Sequence, residues 1–156
     1  MSASSISGYL TNLQNEITTL QGQIPSFTTT NLTILANANI PSENPPNNYT
    51  IIYPATVQPA GTYLIYGGIK FQAGAGQTMT QMSVRISKNG VAIHSVITAG
   101  NQNIQTCLIP TYVLSFNGTT DTFRIEVSGT TSDAQEFQTI ASSNLSTYCQ
   151  LLKLAN

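Results

Sequence analysis

The hydrophobic pattern of this chain changes period once, and the change divides the chain. Near the start, apolar residues fall at Ile6, Leu10, Leu13, Ile17, Leu20 and Ile24, in alternating steps of four and three. That is a heptad stripe, with Leu10, Ile17 and Ile24 at a and Ile6, Leu13 and Leu20 at d. From Tyr49 onward, apolar and polar residues alternate instead, which is the period of a half-buried strand. The two patterns predict a helical segment over 1–27 and an all-β unit over 49–156. Between them, 28–48 reads as a linker, because Asn37–Asn48 is crowded with Asn, Ser and Pro.

The helical segment has two readings. It is either a coiled coil between copies of the chain or an amphipathic helix lying on its own domain. A register that holds for three heptads favours the coil. The flanking positions Ser7, Tyr9, Gln14, Glu16, Gln21 and Gln23 offer almost no interchain ion pairs. Gly8 and Gly22 each weaken a helix by up to about 1 kcal/mol. Such a coil needs help from the rest of the chain to assemble.

In the β unit, strands are predicted at 49–53, 62–72, 80–87, 91–98, 103–109, 111–116, 122–128, 136–140 and 145–154. Lys88-Asn89-Gly90 marks a tight hairpin, and Asn117-Gly118 and Gly129–Asp133 mark further turns. Short strands at this spacing, with no helical pattern among them, predict an antiparallel sandwich. Tyr63, Ile65, Ile69 and Phe71 share one face of their strand, yet Leu64 and Tyr66 occupy the other. In the last strand Leu145, Cys149 and Leu151 oppose Tyr148, Leu152 and Leu154. A two-layer sandwich has one core, so strands apolar on both faces predict a second buried surface between subunits.

Charge is scarce: Asp, Glu, Lys and Arg make up 7% of the chain, while Asn, Gln, Ser and Thr supply 63 of 156 residues. No basic field is available for phosphates, which argues against nucleic acid. No apolar run approaches the roughly 20 residues of a membrane span, which argues against membrane insertion. The first residues lack the pattern of a secretory signal.

Three stretches carry a resemblance. They are Pro59-Ala60-Gly61-Thr62-Tyr63-Leu64-Ile65-Tyr66 with Ile69 and Phe71, then Asn117–Ile125, then Thr147–Leu154. In order and spacing they are similar to strands of the tumour-necrosis-factor-like and complement globular-head jelly rolls, over about 100 residues from Tyr49 to Leu154. Cys149 and Gln150 stand where that family usually has an aromatic and a glycine. The resemblance implies a TNF-like antiparallel jelly roll and a homotrimer, since heptad composition alone does not fix three strands. It implies that Tyr66 and Tyr148 lie near the three-fold axis. The expected trimer interface is Ile6, Leu10, Leu13, Ile17, Leu20, Ile24, Leu64, Tyr66, Tyr148 and Leu152.

A small neutral head on a short coil, without a secretory signal, also resembles the spike and fibre heads of large DNA viruses. The expected function is therefore a non-enzymatic structural or attachment protein on the capsid surface of a virion, made in the host cytoplasm. Its partners would be its own copies, other capsid proteins, or a host receptor or glycan. The alternative is a secreted cytokine-like or complement-like ligand.

The chemistry-bearing residues support no catalytic, cofactor or metal site. His94 is the one histidine, expected opposite Ile93 with Ala92. The acids Asp121, Glu126, Asp133 and Glu136 read as solvated charges, with Glu126 pointing outward beside Arg124. Cys107 and Cys149 read as buried free thiols. N-x-S/T triplets occur at Asn31, Asn48, Asn117 and Asn144. Loops at Gly74–Thr78, Ala99–Asn103 and Gly129–Gln135 are the expected contact surfaces.

Overall fold

A computed structural model of the chain describes residues 3–23, 27–35, 38–42, 48–140 and 147–155. Helix α1 spans Ala3–Gln23. The strands are β1 (Thr28–Asn31), β2 (Asn39–Ile40), β3 (Thr50–Val57), β4 (Gly61–Ala73), β5 (Met79–Lys88), β6 (Val91–Gln102), β7 (Ile104–Phe116), β8 (Thr122–Thr131), β9 (Phe137–Ile140) and β10 (Tyr148–Ala155). All named pairings are antiparallel.

Two sheets face each other. One runs β3-β8-β5-β6. In the other, β4 is the long central strand: β7 covers one of its edges, and β10 and β9 share the opposite edge end to end. β1 flanks β10, and β2 flanks β9. The eight principal strands thus form the sheets β1-β10-β4-β7 and β3-β8-β5-β6. The chain crosses between them at every connection except the β5–β6 hairpin. That is the jelly-roll arrangement.

The core lies between the sheets, and the alternating faces fill it. Ile65, Ile69 and Phe71 of β4 are fully buried, as are Val84 and Ile86 of β5 and Phe123, Ile125 and Val127 of β8. Phe71 and Phe137 meet edge to face with centroids 5.7 Å apart. Cys107 and Cys149 are buried and free. Burial raises both thiols, Cys149 to about 12.

Four details depart from the sequence reading. First, much of the stretch assigned to the linker belongs to the sandwich. β1 pairs with β10, Leu32 and Ile34 are buried in the core, and Ser42 accepts the backbone N–H of Thr131 at 2.8 Å. The Leu32 N–H donates to the Cys149 carbonyl and the Leu35 N–H to the Ile52 carbonyl, so 32–35 ties the two sheets together.

Second, β7 is one strand rather than two. It passes Pro110 at a bulge, where Pro110 and Thr111 oppose Tyr66 alone. A residue without an N–H is tolerated at such a position. The bulge shifts the alternation by one, so Cys107 and Ile109 before it and Leu114 and Phe116 after it all face the core.

Third, β6 skips Ile93: Ala92 pairs with Ser87 and His94 with Ile86. The bulge turns His94 toward the inner side of the edge strand, where its ring stacks on Tyr112 at 5.2 Å. It does not share the outer side with Ala92.

Fourth, Glu126 is on the outer face of its sheet as expected but is only 2% exposed. It accepts from Arg85 Nε at 2.9 Å and Nη2 at 3.2 Å and from the Ser87 hydroxyl, and it is ion-paired with Arg124 Nη2 at 3.1 Å. It is a buried ion-pair centre and not a solvated charge.

Candidate assembly surface

The outward face of the β1-β10-β4-β7 sheet gathers the predicted residues of the β unit. Strand register sets them in rows across the sheet. Leu152, Leu64 and Val113 form one row, with Thr29 at its end. Asn31, Gln150 and Tyr66 form the next. Tyr148, Gly68 and Leu108 form the third. Apolar rows therefore flank a polar one.

The polar row is a hydrogen-bonded chain. The Tyr66 hydroxyl donates to Gln150 Oε1, and Gln150 Nε2 donates to Asn31 Oδ1 at 2.7 Å. Gln150 thus joins three strands and fixes the Tyr66 ring. In the third row a glycine makes room. A Cβ on Gly68 would sit 3.6 Å from Tyr148 Cε1 and 3.8 Å from Leu108 Cδ2, so the Tyr148 ring and the Leu108 side chain close over it.

Much of this face is bare apolar surface. Leu108 is 63% exposed, Val113 52% and Tyr148 49%, while Leu64, Tyr66 and Leu152 are partly covered. Exposed apolar side chains gathered on one face are a common feature of interaction surfaces. Lys70 is the charged residue of this face, and it sits toward one end of β4. Lys153 belongs to the inner side, with its ammonium 6.0 Å from the Tyr63 ring. Leu108 and Val113 are the surface residues that sequence reasoning missed. Their signal was Pro110, whose bulge sends both outward.

Helix α1 presents the second apolar surface. Ile6, Leu10, Leu13, Ile17 and Leu20 are each between 41% and 61% exposed. Among the described residues the stripe is open to solvent and not packed into the core of the β unit. Gly8 and Gly22 fall at outer positions of the heptad, and a Cβ on either would meet nothing within 4 Å. Ile24 lies outside the described residues.

The predicted contact loops meet at one end of the sandwich. Asn103 Nδ2 donates to the carbonyls of Ala73, Gly74 and Gln77. The Ser132 N–H donates to the Thr78 carbonyl at 2.9 Å. At β8 the strand continues through Gly129 to Thr131, so the turn begins later than the sequence indicates. A second loop cluster is tied as firmly. Asn117 Oδ1 accepts the N–H groups of Thr119, Thr120 and Asp121. Asp121 accepts from the Asn89 amide, meets the Lys88 ammonium at 2.9 Å, and is held below the usual carboxylate range by them.

Among the described residues, no group of three His, Cys, Asp or Glu side chains is placed to hold a metal ion. No described helix is long and apolar enough to cross a membrane.

The topology and the two-sheet core decide the fold. It is an antiparallel jelly roll. Solved structures with a similar fold include murine APRIL (TM-score 0.48, 12% identity, covering 83% of this chain and 100% of that one). Eiger TNF from S. frugiperda is another (0.46, 10%, covering 85% and 95%). A third is the T13 viral particle of infectious bursal disease virus (0.44, 11%, covering 81% of this chain). This chain spans about a third, 34%, of the length of that viral chain. The sequence matches no family model, and no curated protein matches it.

Proposed function

We propose that this chain is a non-enzymatic subunit of a virus particle: a homotrimeric head on a short coil, mounted on the capsid surface as a structural or attachment component. One observation carries the assembly. The chain exposes two apolar surfaces, the α1 stripe, whose heptad spacing reads as a coil, and the outward sheet face, which holds Tyr66 and Tyr148, the residues that the sequence resemblance places near a trimer axis. Three copies would bury Tyr66, Tyr148, Leu64 and Leu152 near an axis, with Ile6, Leu10, Leu13, Ile17, Leu20 and Ile24 in the coil. The viral assignment comes from the combination of neutral head and short coil that the sequence resembles.

Two measurements test the proposal. Light scattering of the full chain should give three copies, and a monomer or dimer removes the trimer. Mass spectrometry and antibody-labelled electron microscopy of purified virions should find the chain on the particle, and its absence there removes the viral role. The alternative is a secreted cytokine-like ligand, for which glycans on the sequons would speak. The Asn117 amide is engaged, with Nδ2 donating to the Thr120 hydroxyl at 2.7 Å. A glycan there would have to break that bond.

A further inference from the structure

We infer that the outer face of the β3-β8-β5-β6 sheet carries a binding site for an acidic saccharide, centred on Arg85, Arg124 and Tyr49. The inference deepens the attachment reading and rests on it for the class of ligand. The chain has only five Lys and Arg residues, and two of them converge on one carboxylate. Arg85 forms a two-pronged pair with Glu126, and Arg124 takes the remaining side of the same group at 3.1 Å. One carboxylate balances one guanidinium, so the cluster keeps a formal charge of +1. Among the described residues no second carboxylate reaches it.

The cluster is built to present that charge. The side chains of Arg85 and Arg124 remain 28% and 26% exposed while Glu126 is sealed beneath them. The Tyr49 ring lies 3.7 Å from the Arg85 guanidinium carbon, and the Tyr49 hydroxyl is fixed to Ser83 at 2.9 Å. Arg124 Nε is buried with no hydrogen-bond partner. A guanidinium held on its edge and on its face keeps its outer donors in a set plane, which suits a carboxylate.

Beside the cluster an open depression of about 370 Å³ is lined by Tyr49, Arg85, Ala92, Ile93, His94 and Ser95. Its size is near the lower end for small-ligand sites. The bulge at Ile93 interrupts the strand pairing there, and the Ser95 hydroxyl adds a neutral donor and acceptor. Ala92–Ser95 of β6 line one side of it, and Tyr49 and Arg85 close the other. A sugar ring fits a depression of this volume, with the carboxylate on Arg85, hydroxyls on Ser95 and ring carbons against Tyr49.

The test is NMR titration of the full chain with sialyllactose and with a glucuronate disaccharide, against lactose and a glutamate-rich peptide. At least one acidic sugar should bind and shift residues around Arg85, with lactose and the peptide weaker. Ser95→Trp blocks the depression and Ala92→Glu acidifies it, both from exposed positions that leave the Arg85–Glu126 pair in place. Each should weaken binding by about tenfold or more, and Arg85→Lys should weaken it through loss of the fork. The inference is overturned if neither acidic sugar binds, if lactose or the peptide binds as well, or if Ser95→Trp and Ala92→Glu bind like the parent. A virion-resident trimer that ignores both sugars loses this site alone. A chain that binds them but is absent from virions keeps the site and loses the attachment reading.

Discussion

Two single residues hold positions that no neighbour can replace. Gly67 sits where β4, β10 and the β7 bulge crowd together. A Cβ there would lie 2.2 Å from the Tyr148 carbonyl oxygen and 2.9 Å from Cys149 Cα. Both are backbone atoms, so relief requires strands to move. Gly67→Ala should destabilise the fold by about 1–3 kcal/mol, as overpacked sites do, and thermal unfolding will read it as a lowered Tm. Glu126 is the second. Burial alone would raise its carboxyl, but the hydrogen bonds from Arg85 and Ser87 and the charges of Arg85 and Arg124 outweigh it and hold it low. Its folded pKa is therefore below its unfolded value of about 4.3. The stabilisation is present above that value and is lost as pH falls through the folded pKa. Glu126→Gln should lower stability at neutral pH, and its loss of Tm between pH 7 and 3 should be shallower than the parent's. An identical acid limb in parent and variant would show that Glu126 does not supply this dependence.

At the scale of elements, what the sequence revealed depended on whether an element is regular. β4 and β8 were legible to within a few residues because their alternation is regular, and β5 because it is regular from Met82 to Ile86. The Lys88-Asn89-Gly90 turn was legible because positive φ at Asn89 (52°) and Gly90 (79°) is what a two-residue hairpin demands. β1 and β2 were not legible. Thr28–Asn31 has no apolar residue to show a face, and β2 is two residues long. The alternation of Leu32 and Ile34 was the available sign that this stretch enters the core. Bulges hid the rest: at Ile93 the skipped residue reverses His94, and at Pro110 it joins two predicted strands and exposes Leu108 and Val113. Glu126 was placed on the correct face, but its burial depends on Arg85 and Ser87, which come from the neighbouring strand β5. Helix α1 was legible because its stripe is regular, and its exposed seam predicts a variant effect. Ile17→Asp puts a charge at the middle of that seam and should abolish coil association. Circular dichroism should show lost helical signal while the β signal stays. Retained helicity with unchanged association would mean the seam is not an interface.

For the whole molecule, the scarcity of charge acquires a location. The buried pairs Arg85–Glu126 and Arg124–Glu126 and the Lys88–Asp121 bridge account for most of the charged groups of the β unit. They lie on the β5–β8 side and its adjoining loops. The opposite sheet presents rows of Leu, Val and Tyr around the Tyr66–Gln150–Asn31 chain, with Lys70 toward one end. A trimer formed through that face would be held by apolar burial and not by ion pairs. Its stability should then be indifferent to salt: at about 1 M ionic strength, where the Debye length is about 3 Å, sedimentation should still give three copies. Tyr66→Asp tests the same face from within. The carboxylate would lose the bond to Gln150 and be buried unpaired on assembly, at a cost of several kcal/mol per site. In the free subunit Tyr66 is half-buried on an outward face, so the monomer can solvate the new charge. The variant should therefore fold, keep its β signal, and sediment as a monomer, whereas Tyr66→Phe, which loses only the hydroxyl, should remain trimeric. A trimeric Tyr66→Asp protein of normal stability would place the subunit contact elsewhere, and salt-induced dissociation of the parent would show that charge does contribute to it.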